Sequence, residues 1–141
     1  VHSGALLQPA LTRQAARTYA GILRACPHPV FHTSYALLWL RMVVDCWDYT
    51  GDESLPRELA PEIFSVLETF AGYRGRNGLV SEAPNYMFLD WVEIAGFPGH
   101  HPPAVIGQGY LSAMLHRALD DGARVARLVG DRTRAARFAT T

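Results

Sequence analysis

Thr33-Ser-Tyr-Ala-Leu-Leu-Trp-Leu-Arg-Met-Val-Val-Asp-Cys-Trp-Asp-Tyr49, running into Thr50-Gly51-Asp52, is the stretch that decides the fold. Leu37, Leu38, Trp39, Val43, Val44 and Trp47 fall on several sides of any helix drawn through it. A helix that is apolar nearly all round is buried on most sides. Thr33 or Ser34 can cap its start, and Gly51 supplies a left-handed stop. The helix after it differs in kind. Pro56 suits a first turn, and Leu59, Ile63, Val66, Leu67 and Phe70 make a single apolar stripe, the pattern of a surface helix. Pro61 splits or kinks that helix. A buried helix is thus followed by a surface helix.

The flanks repeat the scheme. Upstream, Leu11, Ala15, Tyr19, Ile22 and Leu23 share helical spacing, and Cys26-Pro27 with Pro29 closes the segment. Downstream, Tyr73 to Ala104 is rich in Gly, Pro and aromatics and has no helical period. Connections of that length in compact domains are usually functional. A second long helix starts near Val105 or Ile106, carries Leu111, Met114, Leu115, Ala118, Gly122, Val125 and Val129 on one face, and ends at Gly130. Tyr49-Thr-Gly-Asp52 is echoed by Leu128-Val-Gly-Asp131, each a helix end followed by an acidic residue able to cap the next helix. The pattern predicts an all-α fold of inner-helix, outer-helix hairpins over residues 1–141, with at most a short strand pair in the long connection.

Composition narrows the function. Thirteen basic and thirteen acidic residues cancel, and the basic ones are scattered, which argues against nucleic acid and an anionic membrane surface. Arg41, Asp45 and Asp48 interrupt the densest apolar run well short of the roughly 20 residues a membrane span needs. Cys26 and Cys46 have no metal-type spacing and read as packing thiols. The chain begins at Val1 and ends in Asp131-Arg-Thr-Arg-Ala-Ala-Arg-Phe138, a helix barely begun, so a segment of a longer protein is expected.

Several of these stretches resemble one family in order and spacing. Phe31-His-Thr-Ser-Tyr-Ala-Leu-Leu-Trp39 running into Asp45-Cys-Trp-Asp-Tyr-Thr-Gly-Asp52 is similar to an inner helix of the bacterial α-L-rhamnosidase catalytic domain. Leu59-Ala-Pro-Glu-Ile-Phe-Ser-Val-Leu-Glu-Thr-Phe70 and Asn77-Gly-Leu-Val80 resemble the outer helix and turn that follow there. Phe88-Leu-Asp-Trp91 looks like a loop motif of that family, and His100-His-Pro-Pro-Ala-Val-Ile-Gly-Gln-Gly-Tyr110 like the entry to its next inner helix. The resemblance runs from about Thr33 to the end. It implies part of an (α/α)6 toroid that hydrolyses terminal rhamnosyl bonds with inversion and needs no cofactor. It also implies a general acid upstream and a base downstream of this stretch, so the isolated segment is expected to be inactive. The implied partners are a rhamnosylated glycoside or oligosaccharide, and the rest of the parent toroid or a second copy.

The long connection holds the candidate site. Sugars are bound by carboxylates that accept paired hydroxyl hydrogen bonds and by aromatic faces that cover the ring's C–H surface. Asp90 beside Trp91 supplies both, and the resemblance places the pair at the sugar pocket; the plainer alternative is a local cap and a core indole. Glu93, a carboxylate three positions on, can meet the separation of about 6.5–9.5 Å that inverting hydrolysis needs. The resemblance places the acid elsewhere, so Glu93 reads as pocket-lining or structural before it reads as a catalytic candidate, and the catalytic residues are otherwise unassigned. His100 and His101 are neighbours whose side chains diverge, so they read as sugar or backbone partners and not as a metal site. His28 and His32 read as structural. Gly107-Gln-Gly109 lacks a phosphate-loop context and reads as small residues for close helix packing, with Gln108 a further pocket candidate. A partial toroid is expected to leave apolar surface around Trp39, Val43 and Leu111 exposed. The alternative function is a non-catalytic helical module that binds carbohydrate or protein.

Overall fold

The structure is a computed structural model that describes residues 8–26, 33–81, 83 and 104–140. Among the described residues there are six helices: α1 Pro9–Ala25, α2 Ser34–Thr50, α3 Ser54–Glu58, α4 Ala60–Gly72, α5 Ala104–Leu128 and α6 Arg132–Ala139. The fold is all-α. Among the described residues the extended pairing is an isolated antiparallel bridge between Arg74 and Val80, within the allowance of at most a short strand pair in the long connection.

Helix ends follow the glycines. Gly51 stops α2 in the left-handed region at φ 67°, and its N–H donates to the Trp47 carbonyl at 2.8 Å. Gly130 stops α5 at φ 82°, with Gly130 N–H on Arg127 and Asp131 N–H on Ala126, the two bonds of a Schellman end. The acidic residue after each glycine acts as expected in one case and differently in the other. Asp131 caps α6 by accepting from Arg134 N–H at 2.9 Å, whereas Asp52 closes a local turn by accepting from Ser54 N–H at 2.8 Å. At the start of α2, Thr33 stands at the cap position in helical geometry and makes no side-chain capping bond. Pro61 does split its helix: it sits in the first turn of α4, and the chain breaks step at Leu59 between α3 and α4.

Cross-helix contacts give the directions. Arg41 pairs with Asp121 and Asp48 with Arg124, so α2 and α5 run parallel. Arg13 pairs with Asp52, Arg17 with Glu58 and Arg24 with Glu62, so α1 runs parallel to α3 and α4. Between the two sets the sense reverses. Arg13 reaches the far end of α2, while the Trp39 indole N–H, near its start, donates to the Ala16 carbonyl at 2.9 Å. Arg57 donates to the Leu128 carbonyl at the end of α5, while Leu67 lies against Gly122 further back. Two parallel inner helices are therefore flanked by outer helices of opposite sense, with α4 packed on both α2 and α5.

The core lies between these layers: Leu40, Val43, Val44, Ile63, Leu67 and Phe70 are fully or almost fully buried, as are Leu111 and Val125 from α5. Each such side chain contributes about 1.5–3 kcal/mol of transfer free energy. Trp39, Val43 and Leu111 are themselves 3%, 0% and 0% exposed, and the exposed apolar surface near them belongs to Leu38 and Tyr35. Trp39 is covered by α1, where the Tyr19 ring stacks on it at 6.1 Å, and Val43 and Leu111 belong to the buried core. The reading of α1 is corrected too. Leu11 and Ile22 are 64% and 42% exposed, and Ala16 and Ala20 are buried instead. Small residues let α1 approach closely enough for the Trp39 hydrogen bond, and Arg13, Arg17 and Arg24 fix its rotation through their carboxylates.

Candidate functional site

The proposed sugar-pocket residues Asp90, Trp91, His100 and His101, with Glu93, lie outside the described residues, as do His28 and His32. The described residues place the ends of the segment that carries them. Inner-to-outer connections are short turns, Gly51–Glu53 after α2 and Val129–Asp131 after α5. Outer-to-inner connections, 26–33 and 73–103, are longer and meet the opposite end of the layers, where α2 and α5 begin. Functional groups concentrate on long connections held by a rigid scaffold, so this end is the candidate site face.

The base of the longer connection is fastened to α5. Tyr73 to Ser81 folds back on itself: Ser81 N–H donates to the Tyr73 carbonyl at 2.9 Å, and Gly75 N–H to the Leu79 carbonyl at 2.8 Å. Gly78 turns the corner at φ 78°. Val80 N–H donates to Ser112 Oγ at 2.9 Å, and that hydroxyl donates to the Gln108 carbonyl at 2.6 Å. The Gln108 side-chain amide donates to the Ser81 carbonyl at 3.0 Å, so Gln108 ties the turn to the helix, a task its reading as a pocket candidate did not foresee. Gly109 is not a packing glycine, since a Cβ there would meet nothing within 4 Å; the close approach occurs at Gly122, where a Cβ would stand 2.1 Å from Leu67 Cδ1.

The seam between α2 and α5 carries a second feature. Arg41, Asp45 and Asp48 lie along α2, and Arg117, Asp121 and Arg124 lie along α5 at the same spacing. The Arg41 guanidinium holds Asp121 at 2.9 and 3.0 Å while also donating to Asp45. Arg124 grips Asp48 with two bonds, at 2.5 and 3.2 Å, and stacks over Trp47 at 4.9 Å. Asp121 is 1% exposed, with Arg117 and Arg124 at 3.5 and 3.6 Å completing its surroundings. The bond from Arg124 holds the Asp48 carboxyl below the ordinary carboxylate range, and the bond to Asp45 raises Arg41 above its own ordinary value. The signal was present in the sequence as two charged rows of matching period inside helices otherwise read for their apolar residues.

Among the described residues, no group of three or more His, Cys, Asp and Glu is placed to hold a metal ion, and no helix is long and apolar enough to cross a membrane. Cys26 is exposed and Cys46 buried, both as free thiols. The chain matches no protein-family model, no curated protein and no solved structure.

Proposed function

We propose that this chain is a segment of an (α/α)6 glycoside hydrolase resembling the α-L-rhamnosidases, and that it contributes sugar-binding residues to the parent active site. The observation that carries this reading is the two-layer order: parallel inner helices α2 and α5, outer helices of opposite sense, tight Gly-Asp turns at one end and long connections at the other. Such hairpins, repeated, curve into a toroid whose long connections gather at one rim. Asp90 and Trp91 then serve as hydroxyl acceptor and ring platform, with His100 and His101 as further polar partners. The resemblance places the catalytic acid and base, the two carboxyls that inversion requires, in other parts of the toroid.

The test is binding, since the segment is expected to lack turnover. Titration with L-rhamnose, followed by NMR, should give saturable shifts that Asp90→Asn weakens about tenfold or more, as a charge-assisted bond to a hydroxyl pair is lost. The chain alone should leave an aryl α-L-rhamnoside intact. Absence of saturable sugar binding would remove the reading. Binding unaffected by Asp90→Asn would remove Asp90 from the site.

A further inference from the structure

On the inner face a cleft of about 350 Å³ opens between α2 and α5. It is lined by Leu38, Tyr110, Ala113 and Met114 together with the Arg41–Asp121 pair and Arg117. Leu38 is 47% exposed, with Tyr35 exposed one position beyond the adjacent buried Leu37 and Ala36. The polar groups of this cleft are unequally used. Both Asp121 oxygens are engaged by Arg41 at hydrogen-bond distance. Arg117 is left with a 3.5 Å approach to that same carboxylate, too long for a strong ion pair, and its side chain is 61% exposed. Arg41 and Arg124 each have a further carboxylate of their own, Asp45 and Asp48, which leaves Arg117 as the guanidinium of this cluster whose ion pair is only the 3.5 Å approach.

We propose that this cleft binds an amphiphilic organic anion, its apolar body seated between Leu38, Tyr110 and Met114 and its carboxylate on the Arg117 guanidinium. The proposal does not depend on the sugar-binding reading. An apolar body removes the Leu38 and Met114 surfaces from water, and a planar carboxylate matches the fork of a guanidinium whose donors are spare. Specificity then comes from the charge, while the walls set the size of the body.

Octanoate and octan-1-ol are the probes, titrated into the intact chain by calorimetry, with amide shifts at Ala113 and Arg117 locating the site. Octanoate should bind and shift those amides, and octan-1-ol should bind more weakly. Arg117→Gln should lower octanoate affinity about tenfold or more and leave octan-1-ol within about twofold, since the lost interaction is charge-assisted. Ala113→Trp, at an exposed position, should block both by filling the cleft. Each of three results overturns the proposal: no octanoate binding by the wild-type chain, equal loss of octanoate and octan-1-ol in Arg117→Gln, or unchanged binding in Ala113→Trp.

Discussion

Two glycines inside helices should respond in opposite ways to the same added methyl group. At Gly21, in the interior of α1, a Cβ would meet no heavy atom within 4 Å. At Gly122, in α5, it would stand 2.1 Å from Leu67 Cδ1 and 3.4 Å from Phe138 Cδ2. Replacing Gly by Ala in a helix interior gains about 0.8–1.0 kcal/mol from backbone entropy. Gly21→Ala should keep that gain. At Gly122 the new carbon must recede well over an ångström to reach the ordinary separation of about 3.5–4.0 Å. Leu67 is fully buried and has little space to yield. Over-packing of this kind costs about 1–3 kcal/mol, so Gly122→Ala should end between neutral and about 2 kcal/mol destabilised. The two variants should differ by about 1–3 kcal/mol, several degrees in melting temperature for a domain of this size. Thermal and urea denaturation, monitored by circular dichroism, measure the gap. In a Leu67→Ala background the Gly122 penalty should disappear, because the obstructing methyl is gone. A Gly122→Ala variant that melts as high as Gly21→Ala would refute the close approach of α4 and α5 at this point.

Acid should loosen the fold in a defined direction. The Asp48, Glu58 and Asp131 carboxyls are held below their ordinary values, by the Arg124 bond, the Arg17 bond and the Arg134 backbone N–H respectively. Because these folded-state values lie below the unfolded ones of about 3.9–4.3, the stabilisation is complete above about pH 5 and is lost as pH falls through the folded values. Chemical denaturation at a series of pH values should show that decline, and a flat profile down to pH 3 would contradict it. Asp121→Ala should cost about 3 kcal/mol, at the low end for breaking a buried ion pair because Arg41 retains Asp45; a loss below about 1 kcal/mol in urea titration would mean that the network is incidental. Trp39→Phe removes the indole bond to the Ala16 carbonyl and should cost about 1 kcal/mol in the same titration, with α1 the region whose amide exchange rises most.

The elements were legible because their boundaries are written in local chemistry. Gly51 and Gly130 sit where a left-handed residue must end a helix, and Pro61 removes an N–H where α3 gives way to α4. Facing was harder to read. In α1, hydrophobicity pointed to Leu11 and Ile22, yet Ala16 and Ala20 are buried, because close approach and ion pairing to Asp52, Glu58 and Glu62 outweigh the size of the apolar side chain. In α2, Arg41, Asp45 and Asp48 were visible only as breaks in an apolar run, because the partners of Arg41 and Asp48 lie some eighty positions on and are joined only by tertiary structure. Gly109 and Gly122 look alike in a string of letters; the neighbour at the crossing distinguishes them. Of the candidate site, the sequence supplied Asp90, Trp91, His100 and His101 by resemblance, and the structure adds the end of the layers from which their connection departs.

The matched charge rows of α2 and α5 also act as a vernier. In the observed alignment Arg41 meets Asp121 and Asp48 meets Arg124. Slide α5 by one turn in one direction and Arg41 would face Arg117 while Asp48 faced Asp121; slide it in the other and Arg41 would face Arg124. Apolar side chains alone tolerate such slips, since one leucine replaces another at little cost. Like charges set side by side do not, and repulsion in a partly desolvated seam grows as the helices close. The rows therefore veto wrong docking more than they cement the right one. Their removal should show first as heterogeneity among folded molecules, in broadened or doubled NMR signals along α5, before any large fall in melting temperature.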